Sequence, residues 1–407
     1  MSLTLTNADA ALKEDYQPAM REQLNNSVKF LAQIERNSKD VEGRRAVLSL
    51  HVKRNSGVGA RADGGSLPAA GAQGYAEERV PLRFNYGRIQ ISGPTLRAMK
   101  SDEGSFVRAL DSETKGVVTD LRRDVNRQLF GTSDGVIAAT GVTSASTTVV
   151  LNTTTAPATA VQKRQLEVGM FIDIGTVATP TSVASNREIL SIASSTTFVI
   201  SGAAVTTATT DRIFRTGNGG SGSAQKELTG IQSIVDDANA LHNVDPSTYP
   251  VWVSTVNGNS GTNRTPTENV FESLIHNVSI AGGEDNLDLF MTSDGVHRAY
   301  ANNLSAQKRF PNTLDLKGGY KGLAIAAGGD EVALMWDRDA PNNKAWGLST
   351  SHLTQHEMSD WEFMDDDGAV LSRVSGQDAY EATLFKYHEL TTDKRNAHGV
   401  IEDLLEA

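Results

Sequence analysis

Arg45-Ala46-Val47-Leu48-Ser49-Leu50-His51-Val52-Lys53-Arg54 alternates with a period of two: Leu48, Leu50 and Val52 share one face, and Ser49, His51 and Lys53 the other. That period reads as a strand. A second alternating run spans Arg79 to Ile91, with Val80, Leu82, Phe84 and Tyr86 set against Arg79, Pro81, Arg83 and Asn85. Between the two runs, Gly57, Gly59, Gly64, Gly65, Gly71 and Gly74 punctuate a segment with almost no bulky residue. The pattern predicts one extended hairpin over residues 45–92, projecting as an arm of ~50 Å at about 3.3 Å per residue. A glycine-rich tip cannot build its own core, and ordering it carries a heavy entropic cost. A lone two-stranded ribbon is also marginal in water. Such an arm makes physical sense when it lies on another molecule, which argues for self-assembly before catalysis.

Outward from the hairpin, residues 1–44 read as an N-terminal arm and a helix, with Met20, Leu24, Val28, Leu31 and Ile34 forming a stripe that ends near Asn37. Downstream, Phe106, Leu110, Val117, Val118, Leu121, Val125 and Leu129 recur at three- and four-residue steps before Gly131. That spacing predicts a helix from Ser105 to Phe130, ~39 Å long, at the centre of a segment over residues 93–135. Its other face carries Arg108, Glu113, Lys115, Asp120, Arg122, Arg123 and Arg127, so it is amphipathic.

Composition changes over residues 136–222 to Thr, Ser, Val and Ala with little charge. Strand-like runs at 147–151, 170–174, 188–192 and 197–200 predict an inserted all-β domain, placed on the outer surface and closed by a flexible linker at Gly217–Ser223. Residues 223–378 then alternate: helix near Thr229–Asn243, strand at Tyr249–Ser254, helix at Thr267–Ile280, strand at Leu287–Thr292 and a helix capped by Ser293-Asp294. Leu323–Ala327 and Glu331–Trp336 read as a hairpin, and Ala345–Leu348 as a short strand. Residues 379–407 hold a last alternating strand, Tyr380–Leu390, and a tail. The fold class expected is α+β.

The chain has 407 residues, long for a single core, and contains no cysteine. Disulfides, zinc–thiolate sites, iron–sulfur clusters and cysteine nucleophiles are therefore excluded. No apolar run is long enough for a membrane helix, and Met1–Thr6 lacks the blocks of a signal peptide. A cytoplasmic site of folding is expected. The net charge of −11 argues against general nucleic-acid affinity. Basic residues nevertheless gather at Arg44, Arg45, Lys53, Arg54 and Arg61, and acidic ones at Asp360, Glu362, Asp365, Asp366 and Asp367. These are either two solvated faces or complementary surfaces on neighbouring copies.

Motifs of chemistry are weak. Gly217-x-Gly219-x-x-Gly222 matches the dinucleotide fingerprint by letter but continues into linker composition rather than a helix. His352 and His356 stand four apart, but Leu353 occupies the place where a zincin has Glu. Asp365-Asp366-Asp367-Gly368 resembles a calcium loop, yet Val374 stands where the EF-hand needs Glu. No catalytic, cofactor or metal site is expected.

This order of elements resembles the major capsid proteins of tailed double-stranded DNA bacteriophages, with the Hong Kong 97-like fold. The hairpin Arg45–Ile91 matches the extended loop and Ser105–Phe130 the spine helix. Leu287–Asp294 and Tyr320–Ile325 look like the axial α/β domain, and Tyr380–Leu384 like the strand returning to the peripheral domain. The resemblance implies a structural protein whose hexamers and pentamers close into an icosahedral shell around packaged DNA. Its partners would be other copies of itself, with scaffolding, portal and decoration proteins, and DNA only through weak non-specific contact; no membrane is involved. It implies assembly in the host bacterial cytoplasm and residence in the virion. The residues before Arg45 are too few for a large scaffolding segment. Some members crosslink through a loop Lys, but Lys53 is placed near the base of the arm rather than at the tip. Lys53, Arg54 and Arg61 on one copy, and Asp365, Asp366 and Asp367 on the next, are the candidate interface residues. Two alternatives stay open: an encapsulin-like bacterial compartment shell, and an α/β enzyme with a β-rich accessory domain.

Overall fold

The computed structural model describes residues 28–38, 41–42, 45–94, 103–152, 165–283, 287–306, 313–316, 321–327, 330–365 and 370–407. It is a mixed helix-and-sheet protein made mostly of strands. The late strand, Ala379–Thr392, organises one half. Its first ten residues pair antiparallel with Arg83–Ser92, from Ala379 opposite Ser92 to His388 opposite Arg83. Its other edge takes Leu353–Glu357, Glu362–Phe363 and Ser372–Arg373, and Glu35–Asn37 adds parallel to Leu353–Glu357. The long helix, Glu103–Gln128, crosses one face of this sheet. Gly87 permits the crossing, because a Cβ there would stand 2.5 Å from Leu121 Cδ1 and 2.9 Å from Val117 Cγ1.

The return arm expected over Arg79–Ile91 is two strands with different partners. Gly74–Pro81 pairs with Arg45–Lys53, whereas Arg83–Ser92 belongs to the body sheet. Alternation persists through the junction, but the buried face switches. Val80 and Leu82 are buried, while Phe84 and Tyr86 are exposed. Period two identifies a strand; it does not say which neighbour the strand chooses. The paired ribbon therefore ends at Pro81 and not at Ser92, and its nine-residue outgoing strand spans ~30 Å before the tip. It also does not project freely. Ala46, Leu50, Ala76 and Val80 are buried, and Leu50 and Ala76 join the same core as Phe130, Leu241 and Trp346.

The helix expected to end near Asn37 is absent over residues 28–38, which form turns and then a strand; Met20 and Leu24 lie outside the described residues. Two backbone donors are taken by side chains instead: the Phe30 N–H bonds Asp337 Oδ2 and the Leu31 N–H bonds Asn126 Oδ1, both at 3.2 Å. Leu31 and Ile34 still reach the core and Val28 packs against it, so their spacing reported burial correctly and helix incorrectly; Phe30, outside that stripe, is buried with them.

The other half is a seven-stranded sheet in the order Thr255–Asn257, Gly399–Ile401, Ala345–Leu348, Leu289–Thr292, Asp330–Trp336, Lys321–Ala327, Thr313–Asp315. Helices Glu268–Gly282 and Asp294–Ala306 contribute to its core, where Phe271 meets Phe290 at 5.0 Å and Tyr300 at 5.3 Å between ring centroids. The strand expected at Tyr249–Ser254 is shifted to Thr255–Asn257. The helix expected near Thr229–Asn243 shrinks to Ile231–Ile234. Asp236 ends it by accepting the N–H groups of Ala238 and Asn239 at 2.7 Å. The buried Arg395 guanidinium then satisfies the carbonyls of Ser233, Ile234, Asn239 and Trp252, doing what a longer helix would have done for Ser233 and Ile234.

Within residues 136–215 the described residues supply eight strands, which among the described residues pair only with one another. They enclose a separate core of Ile137, Val149, Ile172, Ile174, Ile189, Phe198 and Ile213. The following Gly217–Ser223 segment is not a free tether. The Gly217 N–H bonds Asp173 Oδ2 at 2.9 Å, and a Cβ on Gly219 would collide with Pro180 and Phe214. Only a three-residue turn, Gly222–Ala224, follows these glycines, so the dinucleotide geometry is not formed.

Candidate assembly surfaces

At the base of the ribbon a buried polar cluster ties it to the body. Glu78, from the return strand, is fully buried. Its Oε1 meets His242 Nδ1 at 2.7 Å and accepts the Thr391 hydroxyl at 2.6 Å. The Arg79 N–H bonds the His242 carbonyl at 3.0 Å, and Thr229 Oγ1 lies 3.2 Å from His242 Nε2. Beside them, Glu389 accepts the Thr229 N–H at 2.7 Å and the Arg83 Nε–H at 3.1 Å. Burial pushes the Glu389 carboxyl up, opposed by the charges of His242 and Arg83. This cluster has no counterpart in the sequence pattern, because its members come from four distant segments.

The tip is built differently. Gly57 and Gly71 face each other at its neck, where a Cβ on Gly71 would stand 2.8 Å from the Gly57 nitrogen. Only glycine allows backbones to cross that closely. Beyond the neck Val58 is 85% and Leu67 86% exposed. Arg61 curls onto the tip itself, donating to the carbonyls of Ala60 at 2.8 Å and Ser66 at 3.1 Å. Lys53 and Arg54 are exposed. Lys53 ends the outgoing strand opposite Gly74, so it stands at the tip end, not near the base as expected.

Asp365 is exposed after the Glu362–Phe363 strand, while Asp366 and Asp367 lie outside the described residues. Among the described residues no ion pair joins Lys53, Arg54 or Arg61 to Asp365. Asp360 is committed within the chain, at 3.5 Å from Arg36 and 3.3 Å from the buried Lys386 ammonium.

The body sheet carries a second apolar surface on the side away from the long helix. Phe84 and Tyr86 are more than half exposed and stand opposite Tyr387 and Phe385. Phe84 and Tyr387 meet edge-on at 5.0 Å, and Phe385 and Tyr387 lie 4.9 Å apart. Met358 and Met364, both partly exposed, bond the other edge of the same late strand, at Tyr387 and Thr383. Sequence reasoning placed Phe84 and Tyr86 on the hairpin and so missed this face; their large aromatic side chains were the available signal.

The long helix is bound to its surroundings by charge. Arg127 pairs with Glu227 at 2.5 Å and Asp124 at 3.1 Å, and Arg123 reaches Glu167 at 2.7 Å. Burial works against ionisation of Asp124, but Arg127 and Arg215 overcome it and hold its carboxyl well below the usual range.

No metal-holding group of three or more His, Asp or Glu exists among the described residues. His352 precedes, and His356 lies within, the strand Leu353–Glu357; that extended path cannot hold one ion as a helix face would. No described helix is long and apolar enough to cross a membrane.

No protein-family model matches the sequence, and no curated protein matches it. Solved structures do. A chain of the cyanophage A-1(L) capsid asymmetric unit matches with a TM-score of 0.60 at 13% identity, over 99% of each chain. The capsid of a native GTA particle matches with a TM-score of 0.51 at 10% identity, over 99% of this chain and 100% of that one. The SrpI encapsulin from Synechococcus elongatus PCC 7942 matches with a TM-score of 0.50 at 9% identity, over 100% and 97%. The fold is therefore that of capsid and encapsulin chains.

Proposed function

We propose that this chain is the structural protein of a tailed-phage capsid of the Hong Kong 97 type, assembling through hexamers and pentamers into an icosahedral shell around double-stranded DNA. The observation that carries the reading is the end-to-end likeness to the cyanophage capsid chain. The exposed tip fits it: Val58 and Leu67 are not covered among the described residues, and a neighbouring copy would supply a cover. The mechanism is geometric. The body sheet and the seven-stranded sheet form the tile, the tip reaches the next copy, and weak contacts sum through repetition. Charge pairing of Lys53, Arg54 and Arg61 with Asp365–Asp367 of a neighbour belongs to the same proposal, as does an outward position for the inserted sheet. No chemical step is part of the role.

Negative-stain electron microscopy and sedimentation of the purified full chain test it. Closed particles of uniform size are expected; a monomer at every concentration and salt overturns the reading. The encapsulin likeness favours one second reading, a compartment shell. Nuclease-protected DNA in particles from the native source supports the capsid, and enclosed protein without DNA supports the compartment.

A further inference from the structure

A cavity of about 650 Å³ opens where the ribbon meets the body. Arg45 and Arg79 of the ribbon and Arg83 at its junction line one side, and Gln232, Ser233 and Asn239 of the body line the other. In a chain of net charge −11 this concentration of guanidinium groups is out of character. Asp236 is the only acidic residue among the described residues lining the cavity. Its oxygens are taken by the N–H groups of Ala238 and Asn239 and by the Asn239 amide. Glu78 and Glu389 sit behind the wall, fully buried and engaged with His242 and Arg83. Arg79 is held by its neighbour Glu77 at 2.9 Å in a pair about half exposed on both sides. Such surface pairs are worth little and exchange readily for a better anion.

We propose that this cavity binds a phosphate-bearing polyanion. Planar guanidinium forks match phosphate oxygens two at a time, and the Ser233 hydroxyl opposite adds a neutral donor. The volume lies in the range of small-molecule sites. A ligand there would bridge Arg45 and Arg79 of the ribbon to the body wall and fix the angle of the ribbon. The site goes beyond the shell role and is testable on unassembled protein.

The test is calorimetric titration and thermal melting of the unassembled full chain at low salt with sodium tripolyphosphate, ATP, citrate and a poly-glutamate peptide. Tripolyphosphate is expected to bind saturably, raise the melting temperature and protect the ribbon from protease. The double variant Arg45→Gln/Arg79→Gln should bind about tenfold or more weakly while melting unchanged without ligand. ATP binding no tighter than tripolyphosphate assigns recognition to the phosphates alone, and tighter binding assigns a nucleotide. The proposal is overturned if tripolyphosphate fails to bind at millimolar concentration, if the double variant binds equally well, or if citrate or the peptide binds and tripolyphosphate does not. Because the double variant retains Arg83 and its buried pair, a folding defect is not expected; should one appear, Arg79→Lys, which keeps the charge and loses the fork, must weaken binding in its place.

Discussion

The base and the tip of one ribbon follow opposite rules. At the base, every second residue is spent inside the chain: Ala46, Leu50, Ala76, Glu78 and Val80 are buried, and the one charged member among them is matched by His242 and Thr391. At the tip, the bulky residues are left exposed among the described residues; Leu67 is 86% exposed. A protein that folds alone has no reason to keep Val58 and Leu67 on a glycine-rich loop. A protein that must meet its copies does. In the proposed shell role the buried base of the ribbon serves folding and the exposed tip serves association.

The division predicts graded effects. Replacing Glu78 with Ala leaves His242 and Thr391 without their buried partner and should lower unfolding free energy by ~3 kcal/mol, read by urea denaturation. Leu50→Ala removes a buried side chain from the main core and should cost ~2 kcal/mol or more; an effect as small as that of a surface substitution would contradict the anchored base.

Acid should act on the body and not on the tip. Burial lowers His398 from 6.5 to about 3. Its Nδ1 accepts the Ser349 N–H at 3.2 Å, a bond that protonation there removes. Burial, helped by Lys386 and Arg36, likewise lowers His388 to about 3. Between those values and the ordinary histidine value the unfolded chain binds more protons, so stability falls as pH drops from about 6.5 toward 3. The raised Glu389 carboxyl works in the opposite sense and offsets part of the loss. Melting temperature against pH should show the decline, and His398→Gln should flatten it; an unchanged slope would remove His398 from the account.

At the tip the sign of the comparison reverses. Val58→Ser with Leu67→Ser should shift monomer stability by less than ~0.5 kcal/mol yet impair particle formation. Arg54→Glu with Arg61→Glu should also leave folding intact, and weaken assembly less, since each exposed pair is worth only ~0.2–1 kcal/mol. High salt should mimic that loss. Normal assembly of the charge variant at low salt would end the electrostatic part of the proposal.

Legibility followed the range of the interactions. The long helix and four of the eight strands described in residues 136–215 were readable because their signal is local periodicity; Val136–Ala139, Thr143–Ser146, Val205–Thr207 and Arg212–Arg215 were not read. The ribbon was half-readable. Alternation through Leu82 located two strands, but the switch of partner at Arg83 depends on Ala379–Thr392, three quarters of the chain length away. Residues 28–34 misled for a related reason: apolar residues three and four apart bury equally well in a turn when Asn126 and Asp337 supply the backbone's partners. The Glu78 cluster and the arginine cavity were invisible, since neither has a spacing. The tip charges were visible from the start, because exposed residues need no partner in the fold to be noticed.

In the proposed shell a neighbouring copy covers the tip. The chain has no cysteine, so Leu67→Cys introduces a single thiol where the claim is sharpest. Its labelling rate with a maleimide, measured on unassembled protein and on purified particles, is the direct measurement. The account predicts rapid labelling of the free chain and strong protection in the particle. Equal rates in the two states would contradict it.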